Sequence, residues 1–335
     1  MSQKCVLLAA TAILSVVLPA GAADHSRPIG DSNFIAAVPF PGYPEGIAVG
    51  KKNFYVAGPA AFGVASQAVV WVYDLKSGAL VKTIPIGGFA GSCIALDQHE
   101  NLYVIEVAQG VLKVNPETGA KTVYSSGFFP AYDLNRPNLL NDLAFDKAGN
   151  LYVTDSFQAT IWRIPSGGGA PQVWFQNAIL DGAFGPNGIR LDKEGKKIYF
   201  TTTFDGNQIG KILTLPVKNT PVESDLKVFY VFSNQPYAGP DGIAFGESGN
   251  LYVALAGYSA ISVISEHGVE VNRFFGPAKT AGAPLPWTNP ANIAFNDKTG
   301  ALLVTNHASL IVPINTALFS VFDVYVNDTA GKLFH

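Results

Sequence analysis

Cysteine is nearly absent from this 335-residue chain: there are two, Cys5 and Cys93. Cys5 lies in an N-terminal apolar run, so a chain that loses this run keeps one thiol and cannot form an internal disulfide. Charge is also scarce. Charged residues are 14% of the total and the net charge is −3, so no basic surplus exists to hold nucleic acid or anionic lipid. After the N-terminus no apolar run is long enough to span a bilayer. No low-complexity tract or composition break marks a second domain, and no Ser-His-Asp order, phosphate-binding glycine loop or Cys/His cluster appears. What is abundant is glycine (34) and proline (22) beside a hydrophobic fraction of 48%, the composition of many short strands joined by turns around a large core.

The N-terminus reads as a separate element. Lys4, the apolar run to Leu18 and the small residues Ala20-Gly21-Ala22 have the layout of a secretory signal peptide, with an uncleaved anchor as the alternative. The expected organisation is a signal peptide over 1–22 and a single domain over 23–335, in a secreted or periplasmic protein. Cys93, in "GSCIALD", has the apolar setting of a buried inert thiol.

The domain is built on one repeated phrase. It occurs as "PEGIAVGKKNFYVAG" from Pro44, "SCIALDQHENLYVIE" from Ser92 and "NDLAFDKAGNLYVTD" from Asn141. It returns as "NGIRLDKEGKKIYFTT" from Asn187, "DGIAFGESGNLYVAL" from Asp241 and "ANIAFNDKTGALLVTNH" from Ala291. Successive copies are roughly 50 residues apart, a propeller-blade period. In each copy a short apolar strand, a Gly/Asn turn and a returning strand are followed by two further strand-like runs, such as "TIWRIPS" and "PQVWFQN". The prediction is an all-β fold: a six-bladed β-propeller of four-stranded antiparallel blades. The segment "SNFIAAVPF" (32–40) is expected to join the C-terminal blade as its outer strand and close the ring.

In such a ring the residue at the entrance of each first strand points to the axis on one face. That slot holds Glu45, Ser92, Asn141, Asn187, Asp241 and Ala291. Glu45, Asn141, Asn187 and Asp241 present side-chain oxygens, with no sulfur or imidazole. Such a set suits one hard divalent ion, best Ca²⁺, with Zn²⁺, Mn²⁺ and Mg²⁺ as the other candidates. Each Asn or Asp taken singly can also be a turn-forming residue. The second strands return to the same face, placing Glu106, Asp155, Thr202 and His307 around the slot. Asp155 and His307 are candidate bases, each with a structural alternative as a strand-end cap or a packed histidine. Phe89, Phe128, Phe129, Tyr132, Phe184, Phe204, Tyr237 and Trp287 sit in loops near this face, where they could line a mouth or pack between blades.

With these motifs the chain resembles the family of regucalcin (senescence marker protein), gluconolactonases and diisopropylfluorophosphatase, six-bladed calcium-dependent hydrolases. The family's ligands are a Glu in blade one, an Asn in "ND", an Asn in "PNG" and an Asp in "DG". The matching residues here are Glu45 in "PEG", Asn141 in "NDLAF", Asn187 in "GPNG" and Asp241 in "GPDG". The phrases "NPANIAF" and "VTNHAS" are more similar to the phosphotriesterase branch, which has a histidine where His307 stands. Leu139 replaces the arginine of the sugar lactonases, which argues against a sugar acid lactone. Ala244 replaces the acidic residue of that branch's second calcium site. The resemblance implies a metal-dependent hydrolase acting on a small molecule, a lactone or related ester, with Asp241 as base or nucleophile and His307 or Asp155 as alternatives. The competing readings are an organophosphate phosphotriesterase, a lyase, and a non-catalytic binding propeller with a structural ion. A closed ring needs no partner to fold, so a monomer is expected, without nucleic acid and without a membrane contact after leader cleavage.

Overall fold

A computed structural model of the chain describes residues 27–61, 66–276, 287–309 and 314–334. The proposed leader, His25 and His335 lie outside the described residues. Among the described residues there is no α-helix, and no helix is long and apolar enough to cross a membrane.

Among the described residues twenty-four strands form six four-stranded sheets. The first strand, β1 (Ser32–Ala37), is set aside for the last blade. Blade one is β2 (Ile47–Val49), β3 (Asn53–Gly58), β4 (Ala68–Asp74) and β5 (Leu80–Gly87). Blade two is β6 (Gly91–Leu96), β7 (Leu102–Glu106), β8 (Gly110–Val114) and β9 (Lys121–Ser125). Blade three is β10 (Leu140–Phe145), β11 (Leu151–Asp155), β12 (Thr160–Ile164) and β13 (Gln172–Gln176). Blade four is β14 (Gly182–Leu191), β15 (Lys197–Asp205), β16 (Lys211–Pro216) and β17 (Lys227–Val231). Blade five is β18 (Pro240–Phe245), β19 (Leu251–Leu255), β20 (Ala260–Ile264) and β21 (Glu270–Phe275). Blade six is β22 (Pro290–Asn296), β23 (Ala301–Asn306), β24 (Ser320–Tyr325) and, outermost, β1, which pairs antiparallel with β24. The expected ring closure is thus present. Arg27 reinforces it, its Nη1 and Nη2 donating to Asp323 at 2.8 and 2.7 Å.

The core is divided into six apolar clusters, one at each interface between neighbouring blades. A radial sheet has a neighbour on both faces, so inner strands are buried on both sides and carry apolar residues without alternation. Outer strands alternate: β21 reads as exposed or half-buried at most positions, with Phe274 buried. The interfaces taper toward the axis, and the first strands meet this with a large residue facing the preceding blade and a small one facing the next. Ile47, Ile94, Leu143, Ile189, Ile243 and Ile293 are the large set. Ala48, Ala95, Ala144, Ala244 and Ala294 are the small set, and Arg190 stands in the sixth small position.

One detail differs from the sequence expectation. Most slot residues sit inside their first strands, because the pairing with the second strand shifts there, as between Leu140 and Leu143 and between Pro240 and Ile243. The irregularity leaves extra residues unpaired and turns their side chains to the axis.

Candidate metal centre and active site

The site is assembled from the axial ends of the first strands. Asn141 and Asn187 are buried there beside Glu45, and Asp241 is half-buried. The side-chain oxygens Asn141 Oδ1, Asn187 Oδ1 and Asp241 Oδ1 are buried and accept no hydrogen bond. Three orphaned acceptors at equivalent positions of consecutive blades are costly unless something positive completes them.

The amide orientations are fixed by their neighbours. Asn141 Nδ2 donates to Ser156 Oγ at 3.1 Å, and that hydroxyl donates to Pro186 O at 2.6 Å. Asn187 Nδ2 donates to Thr203 Oγ1 at 3.0 Å, and that hydroxyl donates to Pro240 O at 3.0 Å. Each hydroxyl spends its proton on a carbonyl and can only accept from the amide. The NH₂ groups therefore face outward and the carbonyl oxygens face the axis.

The backbone of the slots is held in the same manner. Thr154 Oγ1 donates to Asn187 O at 2.7 Å, Thr201 Oγ1 to Asp241 O at 2.9 Å, and Thr305 Oγ1 to Glu45 O at 2.7 Å. The three threonines hold equivalent positions in their second strands, β11, β15 and β23, each on the blade preceding the slot it supports. Ahead of Asn141 that position is Ile105, and the Ser92 hydroxyl takes over, donating to Leu140 O at 2.9 Å. Ahead of Ser92 and Ala291, the slots outside the candidate donor set, the position is Ala57 and Ala254. Gly188 has to be glycine for a related reason: a Cβ there would collide with the Asp241 carbonyl oxygen.

Burial raises the Glu45 carboxyl well above the ordinary range, and the nearby charges of Asp241 and Asp142 push it further. Asp241 is raised likewise, by burial first and then by Asp142, while Asn187 and the Gly242 backbone oppose the shift. Asp142, the residue after the Asn141 slot, is fully buried. Its Oδ1 accepts from Leu143 N at 2.8 Å and from the Cys93 thiol at 2.8 Å. Its Oδ2 accepts from Ile189 N at 3.1 Å and from Arg190 Nη1 at 2.7 Å. Asn292 Nδ2 reaches Cys93 Sγ at 3.2 Å, completing a polar floor beneath the slots. Three carboxylates and one guanidinium, when ionised, sum to −2, the complement of a divalent cation. Among the described residues no three of His, Cys, Asp and Glu gather to hold a metal; two of the four candidate donors here are asparagines. An all-oxygen donor set with orphaned carbonyls fits a hard cation.

The rim residues are engaged with protein. Asp155 is buried and accepts from Asn138 Nδ2 at 2.5 Å, Leu139 N at 2.9 Å and Trp162 Nε1 at 3.1 Å, fastening the loop that leads into Asn141. Glu106 does the same for its own loops, accepting from Phe89 N and Gln109 N. His307 Nε2 meets Ala60 O at 2.8 Å, and Nδ1 meets Ser309 Oγ at 2.8 Å. A carbonyl can only accept, so Nε2 carries the proton and Nδ1 receives the serine hydroxyl. Burial lowers the His307 pKa to about 4, the Ala60 contact opposing it. Thr202 Oγ1 is buried without a partner.

The loop aromatics divide. Phe89, Phe129 and Tyr237 are more than half exposed. Phe128 instead packs edge-on against Trp162, Phe184 against Phe157, and Trp287 is buried between blades five and six. Asp142 and Arg190 were missed by slot reasoning. Their signal was a broken pattern: five blades read Ile/Leu-Ala after the slot, and the fourth reads "GIRL".

A model of the SMP-30/Gluconolactonase/LRE-like region matches residues 65–308. The chain belongs to this family. Among SMP-30/gluconolactonase-like relatives, lactonase drp35 of Staphylococcus saprophyticus is 25% identical over 168 residues, 50% of this chain and 51% of the relative. The chain thus matches about half the length of its curated relatives. Among solved structures, a calcium-binding protein, regucalcin, from Agrobacterium tumefaciens aligns with a TM-score of 0.64 and 16% identity, covering 91% of this chain and 95% of the other. A gluconolactonase from Xanthomonas campestris aligns with a TM-score of 0.56 and 16% identity, covering 90% and 99%. At these identities the structures show a common fold.

Proposed function

We propose that this protein is a secreted or periplasmic hydrolase, dependent on one divalent cation, that opens a lactone or related ester. The observation that carries the reading is the trio of orphaned oxygens on Asn141, Asn187 and Asp241, facing the axis beside Glu45. Calcium is the ion this donor set suits best, and the regucalcin of the same fold is a calcium-binding protein. Lactone chemistry is supported by relatives named lactonase and gluconolactonase.

Glu45, Asn141 and Asn187 hold the ion, and Asp241 holds it and does chemistry. A bound divalent cation would supply positive charge for a carbonyl oxygen to lean on. Asp241 is the carboxylate with an unused oxygen, Oδ1, on the axis. It takes the proton from an attacking water or attacks the acyl carbon itself. Asp155 and His307 act at one remove, Asp155 by holding the Asn138–Leu139 approach and His307 by tying Ser309 to Ala60.

The test is a calorimetric titration of calcium into chelator-stripped protein, with melting curves and a hydrolysis panel of lactones, aryl esters and organophosphates. One-to-one binding, a raised melting temperature and ion-dependent lactone opening are expected. Asp241→Asn should lower turnover by at least ~100-fold. Full activity and full affinity in that variant would overturn the assignment. Binding without turnover of any substrate would favour a binding propeller with a structural ion.

A further inference from the structure

Beneath the polar floor, at the opposite end of the channel from the slots, lies a cavity of about 430 Å³. That is within the ~300–1,000 Å³ of small-molecule sites. None of the slot residues lines it. Its wall is apolar, from first-strand residues such as Ile47, Ile94, Leu143, Phe145, Ile293 and Phe295. The C-terminal segment crosses its outer end. Glu247 N donates to Thr329 O at 2.8 Å and Gly331 N donates to Phe245 O at 2.7 Å, which brings Leu333 and Phe334 to the cavity.

One charged side chain from the strand walls lines this space: Arg190, on the single first strand that lacks the small alanine. Its side chain is 14% exposed. Nη1 is fully used, donating to Asp142 Oδ2 at 2.7 Å and Ile189 O at 2.6 Å. Among the described residues none accepts from Nε or Nη2, which leaves three N–H groups of a planar fork for another acceptor. At the mouth Lys51, Lys298 and Lys332 are matched by Asp97, Glu100 and Asp297, so the rim favours neither sign.

We infer that this distal chamber binds a small amphipathic monocarboxylate, its carboxylate on Arg190 and its hydrocarbon between the first strands. A single guanidinium in an apolar wall selects one negative charge carrying an apolar tail. Phosphates and polyols would find too few partners. Arg190 would then bridge two carboxylates, Asp142 on the floor and the ligand in the chamber. The chamber shares Arg190 with the polar floor through Asp142, but the inference does not require the proposed slot chemistry.

The experiment is calorimetric titration of octanoate, octan-1-ol and gluconate into the purified protein. Octanoate is expected to bind at least roughly tenfold more tightly than octan-1-ol, with no binding of gluconate. Arg190→Gln should remove the octanoate advantage while octan-1-ol still binds, which also shows that the chamber is intact. Ala294→Phe, on blade six and away from the Arg190 strand, narrows the chamber and should weaken both. The inference is overturned if octanoate does not bind, or binds no better than octan-1-ol. It is also overturned if octanoate binding survives Ala294→Phe, which would place it at the slot face. Should Arg190→Gln fail to fold in a melting curve, the wild-type ratio and Ala294→Phe decide.

Discussion

Glu45, buried, and Asp241, half-buried, face the same axial spot, and a pair so placed resists ionisation until a cation arrives. Their folded pKa values lie above the unfolded ones, so in the ion-free protein the folded state keeps protons that the unfolded chain releases above about pH 4. Ion-free stability therefore falls as pH rises from that point, and ion binding, which needs both carboxylates charged, strengthens. The melting-temperature gain on adding calcium should be larger at pH 8 than at pH 5, with proton release detectable by calorimetry in buffers of different ionisation enthalpy. An equal gain at both values would mean that the two carboxyls do not share the ion. His307 has the opposite sign. Its folded pKa, about 4, is below the unfolded value, so its contribution to stability is present above about pH 6.5 and is lost as pH falls toward 4. Its imidazole resonances should show no titration between pH 6 and 7.5, and an inflection there would restore it as a candidate base. The four slot residues were legible because the repeat aligns them. Asp142 and Arg190 were not, because the position after the slot carries no shared chemistry (Gly46, Cys93, Asp142, Gly188, Gly242, Asn292) and only the channel brings the two side chains together.

The four-strand blades follow from the phrase itself, since each Gly/Asn turn sits between two apolar runs of strand length. Less visible was the work done by second strands. Thr154, Thr201 and Thr305 look like ordinary strand residues, yet each hydroxyl crosses to the slot carbonyl of the next blade. Their spacing could have been read from "LYVTD", "IYFTT" and "LLVTN" against "FYVAG", "LYVIE" and "LYVAL". Valine keeps the shape and removes the bond. Thr305→Val should cost about 1 kcal/mol of stability, since it leaves the buried Glu45 carbonyl and Asn292 N–H without that partner. It should also weaken ion binding several-fold by loosening Glu45. Ala254→Val, at the same strand position ahead of the slot that holds Ala291, should leave affinity unchanged. Similar affinity losses in both variants would show that the effect is packing and not the hydroxyl.

At the scale of the ring, the four proposed ligands come from blades one, three, four and five, so the proposed site exists only while blade one is held against blade six. That seam is bridged by Thr305 and by the apolar cluster that joins Tyr43, Ile47 and Phe54 to Leu303 and Val321. It is secured from outside by β1, whose Phe34 packs edge-on against Phe322 and whose Asn33 N–H donates to Asp323 at 3.0 Å. This closure was legible because "SNFIAAVPF" reads as a strand with no partner in its own blade. The division of the loop aromatics between solvent and blade interfaces was not, because it depends on where each loop folds back. Removing residues through Ala37 strips β24 of its neighbour and exposes Phe322. The expected result is a broad, lowered melting transition and at least tenfold weaker calcium binding, because Glu45 is then free to move away from Asn187 and Asp241. Arg27→Ala, which removes the clamp on Asp323 and the pair with Asp31 but leaves β1 in place, should cost no more than about 1 kcal/mol, since its side chain is 24% exposed and partly screened. If the shortened chain melts and binds as the full chain does, the seam is held from inside the ring alone, and β1 is an ornament of blade six and not its lock.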